Sequence, residues 1–391
     1  MVKKAIRAKR KKYPFIDTII FISILALFFG YIGSNMGIEK MFSTLMKTAY
    51  GLLMETVFYI MAIAVLAGAF GKLASEFGLV DLLNKIFAPL MRPLYNLPGA
   101  AFIGIITTYL SDNPAIISLT KDREYLSYFK RNEVPCLCNL GTSFGMGLIV
   151  LTYMAGLGFG RAALIGTVGA VVGSIVSVRL MRKQTKKILG EDKIDVDLDR
   201  DRVEEHIHEI VAVSEDDSSF LERFLSAFLE GGKFGVDIGL EIIPGVLIIC
   251  TIVMMLTFGE ADPSLGYQGL AYEGVPLLPL IGSKIGFILK PLFGFQNAEA
   301  IAFPITALGA VGAALSLVPK FISENIISGN DIAVFTAMGM CWSGFLSTHV
   351  AMLDALGYKK LISKAIGSHL IGGLCAGVSA HYLFVLVNLI F

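Results

Sequence analysis

Arg92-Pro93-Leu94-Tyr95 in the first half of the chain recurs as Lys290-Pro291-Leu292-Phe293 in the second. Each copy follows an amphipathic stretch and precedes a short apolar segment that polar residues interrupt. One segment of membrane length comes next, then another rich in glycine. Working outward from this pair, the chain resolves into two similar halves, and its basic residues thread them through a membrane in opposite directions. Inverted repeats with broken apolar segments are the sequence mark of secondary transporters whose site lies at the bilayer midplane.

Composition sets the class. Of 391 residues, 55% are hydrophobic and only 17% charged, against about a quarter charged in a soluble domain. Several runs reach the ~20 apolar residues that a spanning helix needs. The fold class is therefore an all-α polytopic membrane protein: two inverted repeats, each with a re-entrant helical hairpin, and about seven transmembrane helices plus the two hairpins. A net charge of +1 says little about partners, because the charge is partitioned by side; no nucleic-acid partner is expected. All five cysteines lie in apolar segments, and Cys136-Leu137-Cys138 lacks the C-x-x-C spacing of redox and zinc motifs.

Lysine and arginine in short loops give the topology. The basic start, Lys3 to Lys12, places the N-terminus in the cytoplasm. Helix 1 (about 16–33) exits, the stretch Asn35 to Lys47 is an external loop, and helix 2 (about 49–74) returns. Residues 79–96 read as an interfacial helix that Pro89 and Pro93 kink or break. Residues 99–119 read as a re-entrant hairpin split at Ser111-Asp112-Asn113-Pro114, because a residue before proline is pushed out of the α region. Lys121, Arg123, Lys130 and Arg131 mark the cytoplasmic side. Helix 3 (about 135–158) exits and helix 4 (about 162–180) comes back to Arg179, Arg182, Lys183, Lys186 and Lys187.

The second half repeats this plan with helix 5 (about 234–258), a hairpin over 295–317, helix 6 (about 331–356) and helix 7 (about 362–390), which leaves the C-terminus external. The expected organisation is 1–48, a basic N-terminus and first helix; 49–181, the first repeat; 182–233, a charged cytoplasmic linker; and 234–391, the inverted second repeat. His206 and His208 in the linker stand beside carboxylates and read as solvent-exposed. The spacings Gly169-x-x-x-Gly173 and Gly373-x-x-x-Gly377 let helix backbones approach closely, within one protomer.

A charge at the centre of a membrane helix costs at least about 2.5–3.5 kcal/mol, so it reads as functional by default. Two clusters stand out. The first is Ser111, Asp112 and Asn113 at the tip of the first hairpin with Asn139, Thr142 and Ser143 on helix 3, where Asn139 and Ser143 share a face. Their hydroxyl, amide and carboxylate oxygens suit a polar ligand or Na⁺. Asp112 also suits a helix cap, and the two roles are compatible. The second is Gln296, Asn297 and Glu299 at the second hairpin, facing Ser343, Ser347, Thr348 and His349. Asp112, Thr142, Glu299 and His349 are the expected ion- or proton-coupling groups. His369, His381, Asp237, Glu241 and Glu55 are weaker candidates.

Ser111-Asp112-Asn113-Pro114-Ala115, Gln296-Asn297-Ala298-Glu299-Ala300 and the twofold Pro-Leu-aromatic entry resemble the Gate, or nucleoside-recognition, domain family, which includes YjiH-type membrane proteins. Concentrative nucleoside transporters are similar more distantly. Their hairpin carries a Gln-Thr-Glu-like triplet that contacts the nucleobase, and Gln296, Asn297 and Glu299 match it with one residue more between Gln and Glu. The resemblance covers most of 49–181 and 234–391. It implies a small-molecule substrate, membrane lipid as surroundings and a homo-oligomer.

The function expected from all this is secondary active transport of a small polar solute, nucleoside-like or zwitterionic, across the bacterial plasma (inner) membrane. Na⁺ or H⁺ would be the coupling ion, and no other cofactor or bound metal is expected. A passive channel, or an assembly or signalling factor acting through the linker, are the alternatives. The chain lacks H-E-x-x-H, and its basic residues lie in topological loops and not in a phosphate-binding constellation, so an enzyme is not expected.

Overall fold

Apolar helices dominate because every backbone polar group within a bilayer must be satisfied inside its own segment. The computed structural model describes residues 14–120, 123–190 and 219–390. The basic N-terminus up to residue 13, Lys121 and most of the acidic linker, with His206 and His208, lie outside the described residues. Among the described residues the fold is helical and contains no strand. Five helices are long and apolar enough to cross a membrane: Phe15–Met36, Ile38–Glu76, Cys136–Leu189, Phe220–Met255 and Lys359–Ile390. The third reverses at Gly158, whose φ is 92°. Its arms run antiparallel, so that Asn132 meets Gly190, Cys136 meets Thr185 and Asn139 meets Ser177. Gly329–Trp342 and Phe345–Ala355 form a further helix in two pieces. The chain is a multi-pass helical membrane protein.

The repeated motif does the same job in both halves. Arg92 to Tyr95 ends the helix Leu79–Tyr95, and Lys290 to Phe293 ends the helix Gly286–Phe293. Each is followed by a left-handed residue, Asn96 (φ 56°) or Gly294 (φ 72°), which turns the chain out of the helix. The motif's aromatic then docks on the last helix of its own half. Tyr95 shares a hydrogen bond of 2.7 Å with Ser174, and Phe293 packs against Gly377.

Equivalent helices of the two halves pair with each other, antiparallel. Along 58–76 and 220–245, Met61 faces Gly239, Ala64 faces Gly235 and Gly68 faces Gly231, while Arg223 Nε binds Glu76 Oε1 at 2.8 Å. Along 160–189 and 362–390, Arg161 reaches the Val387 carbonyl, Gly173 faces Ala376 and Ser177 meets His369. Two inverted copies related by an axis in the membrane plane give this pairing. Only hydrogen fits at its closest points: a Cβ at Gly173 would stand 2.5 Å from both Ala376 Cβ and the Gly372 carbonyl oxygen. Gly373 and Gly377 instead admit Trp342 and Met338 of the helix 329–342.

Several boundaries differ from the sequence expectation. The stretch expected as an external loop is helix Ile38–Gly51, because Met41, Thr44 and Thr48 form a buried face. Its outer side holds residues of the loop after 255, with Ser43 Oγ and Lys47 Nζ donating to the Gly269 carbonyl at 2.8 and 2.7 Å. Leu79–Tyr95 runs unbroken through Pro89 and Pro93, both of which are exposed, and Arg179 caps its end through the Pro93 and Leu94 carbonyls. The helix expected from about 234 begins at Phe220, where Ser219 and Glu222 form a reciprocal capping box. Residues 182–189 and 220–233 of the expected linker are thus helical.

Candidate functional site

Proline chemistry builds the first hairpin. Ala101–Leu110 ends at Ser111, and the next helix starts at Pro114, where a missing N–H costs nothing. The two pieces fold back on each other, bringing Ile116 and Tyr125 against Gly104. Asp112 and Asn113 are left at the tip. The second hairpin, Ala302–Ala307 and Val311–Leu315, turns at Leu308-Gly309-Ala310.

Two long helices break at the same level. Cys136–Thr142 stops at Ser143 and resumes at Gly147 after Met146, whose φ is 55°. Gly329–Trp342 stops at Ser343 and resumes at Phe345 after Gly344, whose φ is 58°. The halves therefore use one device, a single left-handed residue before the helix restarts. For Met146 that conformation is unfavourable, and such outliers collect at functional sites.

All four breaks meet. Asn113 Nδ2 donates to the Ser343 carbonyl, and its Oδ1 lies so close to Gly145 that a Cβ there would overlap it. Ala310 packs on Gly245 and Gly312 on Ile242 of the helix 220–245. Between these elements lies a cavity of about 330 Å³, walled by Asp112 and Asn113, Met146, Gly309 to Gly312, Ser343, Gly344 and Thr348. Ile238, Glu241, Ile242 and Gly245 close it on one side, the i, i+3, i+4, i+7 face of a single helix. The Oδ1 atoms of Asp112 and Asn113 are buried and accept no hydrogen bond among the described residues. Groups so placed are normally satisfied, and exceptions ask for an occupant.

Ser111 lines a second cavity, of about 310 Å³, with Lys72, Ser75, Thr107 and Glu230. Lys72 and Glu230 pair there at 3.2 Å. The hairpin tip thus separates two cavities stacked along the helix 220–245, with Glu230 and Glu241 roughly 16 Å apart at 1.5 Å per residue.

The residues expected from sequence divide clearly. Asp112, Asn113 and Ser343 share the main cavity with Thr348. Asn139, Thr142 and Ser143 are fully buried at the end of the broken helix. The Thr142 and Ser143 hydroxyls return to the Cys138 and Asn139 carbonyls, each at 2.7 Å, and Asn139 donates to Ser177 Oγ and the Ala365 carbonyl. Gln296, Asn297 and Glu299 are not brought to the cavity. They open the second hairpin at the end away from its tip, where Gln296 donates to the Gly294 carbonyl and Asn297 to that of Ile326. The Ser347 side chain lies outside what the structure describes.

His349 is fully buried, with Nδ1 donating to the Phe345 carbonyl at 2.6 Å and Nε2 without a partner among the described residues. Its ring centroid lies 4.8 Å from that of His369. His369 Nε2 meets the Cys341 carbonyl, so the proton sits there, and Nδ1 accepts from Ser177 at 2.9 Å. A directed chain from Asn139 through Ser177 and His369 to Cys341 therefore ties the glycine-rich last helices to both broken helices. Sequence reasoning ranked Glu241 low, and it passed over the turn 308–310 and the breaks at 143–146 and 343–344.

No family model matches the chain, so the Gate resemblance rests on its motifs. Among curated proteins, an uncharacterized protein of Alkalihalophilus pseudofirmus is 25% identical over 225 residues, covering 55% of this chain and 47% of that protein. The chain thus spans about half the length of the curated relative it matches. Solved structures of CNTnw, a concentrative nucleoside transporter, are similar over nearly the whole chain. An outward-facing form gives a TM-score of 0.51 at 13% identity, covering 95% of this chain and 86% of that one. An inward-facing, substrate-bound form gives 0.52 at 12%, covering 94% and 85%, and an intermediate gives 0.53 at 12% over the same shares. At this identity the likeness is one of fold.

Proposed function

We propose that the chain is a secondary active transporter that carries a small polar solute across the bacterial plasma membrane. Asp112, Asn113, Ser343 and Thr348 contact the solute in the main cavity, and Na⁺ or H⁺ supplies the driving force. The observation that carries this reading is the convergence of four helix interruptions on one cavity that holds unpartnered buried oxygens. Irregular backbone at membrane depth is tolerated only where it is buried in protein or lines a water-filled space. The fold supports the reading, because CNTnw is known in outward-facing, intermediate and inward-facing states.

In the proposed cycle the first hairpin tip is the barrier. Ser111 faces one cavity and Asp112 the other, so a shift of the tip relative to the helix 220–245 transfers the site from one side to the other. The paired helices 58–76 and 220–245, locked by close glycine contacts, serve as the fixed support. The N-terminus is cytoplasmic and the C-terminus external, and no chemical conversion of the solute is involved.

Reconstitution tests this. Proteoliposomes should accumulate a solute from a broad metabolite panel under an imposed Na⁺ or H⁺ gradient, and preloading with that solute should give counterflow. Uptake that follows the solute gradient alone would make the protein a facilitator. Silence across the panel, with function lost only on removing 191–218, would favour an assembly factor.

A further inference from the structure

Among the described residues, the walls of the main cavity carry two carboxylates and no lysine, arginine or histidine. Asp112 stands on the hairpin tip and Glu241 on the opposite helix, and both line the cavity. Glu241 is exposed at the cavity rim, near the middle of the apolar span Phe220–Met255, where a charge is costly and marks a pathway or ligand. Backbone dipoles do not offset the pair: every interruption contributes one helix C-terminus and one N-terminus, whose partial charges oppose each other. The remaining groups add acceptors. Asn113 is 3% exposed, its amide nitrogen is committed to Ser343, and its Oδ1 is unpartnered.

We infer that the cargo is a small organic cation, its amine held between Asp112 and Glu241. The inference rests on the transport reading above and deepens it. A neutral nucleoside-like solute would leave both carboxylates without a counter-charge. A bare inorganic ion would leave most of the space empty, since about 330 Å³ is the share of roughly ten waters. An amine of about ten heavy atoms fills the volume, donates to both carboxylates, and presents its carbon stem to Met146, Ile238 and Ile242.

The full-length protein in detergent is titrated with spermidine, phenethylamine, uridine or NaCl at one ionic strength, and binding is read by thermal shift and calorimetry. At least one amine should bind saturably. Asp112→Asn and Glu241→Gln should each weaken it about tenfold or more, the loss of one charged hydrogen bond, and Glu241→Asp should restore most of the affinity. Uridine binding that Glu241→Gln leaves unchanged would overturn the cationic cargo while leaving transport intact. Stabilisation by Na⁺ alone, or by nothing in the panel, would overturn it too. Amine binding with these variant effects but without proteoliposome uptake would uphold the cation site and refute the transport reading.

Discussion

Gly145 and Asn113 are expected to be coupled, because the first hairpin tip seats directly on the first broken helix. A Cβ at Gly145 would overlap Asn113 Oδ1 and stand 2.6 Å from Cγ and 2.9 Å from Nδ2. Gly145 does not occupy the left-handed region, so Gly145→Ala acts by crowding and not by backbone strain. Overpacking of this kind costs about 1–3 kcal/mol. Asn113→Ala loses the hydrogen bond to the Ser343 carbonyl, about 0.5–1.5 kcal/mol, and removes the three atoms nearest the new methyl group. The double variant should therefore be about as stable as Asn113→Ala alone, an interaction energy of roughly 1–3 kcal/mol in the rescuing direction. Equilibrium unfolding in mixed micelles measures the cycle. Effects that add to within about 0.5 kcal/mol would refute the contact between tip and break.

Other contacts give sharper single tests. Glu133 is fully buried and bound by Arg182 at 2.9 Å and Arg92 at 3.4 Å, so Glu133→Ala should cost about 3–5 kcal/mol in the same unfolding assay, and a loss under 1 kcal/mol would contradict the pairing. Gly173→Val should prevent folded protein from accumulating in the membrane, since the last helices of the halves touch there. Gly367→Ala, with nothing within 4 Å of the added methyl, should be neutral or stabilising by about 0.5–1 kcal/mol. Glu299→Gln should leave solute binding within about twofold, whereas Asp112→Asn costs tenfold or more; equal losses would return the second hairpin's polar opening to the site.

The break in the first hairpin was legible because Asp112 favours a helix cap and Pro114 pushes the residue before it out of the α region, although Pro89 and Pro93 show that proline alone does not break a helix here. The tip of the second was not, since Leu308-Gly309-Ala310 offers neither proline nor polar side chain. Polarity drew attention to Gln296, Asn297 and Glu299 instead, which open that hairpin at its other end. The breaks at 143–146 and 343–344 escaped for a related reason. Glycine is common in membrane helices, and a left-handed Met146 is imposed by tertiary packing that no local pattern announces. Glu241 was misjudged through a boundary: with the helix started at about 234, it looked terminal. The Ser219-x-x-Glu222 capping box was readable in the sequence and would have moved that start to Phe220, placing Glu241 mid-span. The close approaches expected at Gly169-x-x-x-Gly173 and Gly373-x-x-x-Gly377 are found, because small-residue spacing is local chemistry, whereas which helices would pair was not read from the sequence.

The central claim is that one cavity at the meeting point of the four interruptions opens to each side of the membrane in turn. Thiol labelling of Ala310→Cys and Thr348→Cys in oriented vesicles, with an impermeant reagent added to one side at a time, tests it most directly. Both positions should label from either side and be protected by the bound solute. Labelling of both from one side only, whatever the solute or ion gradient, would contradict it.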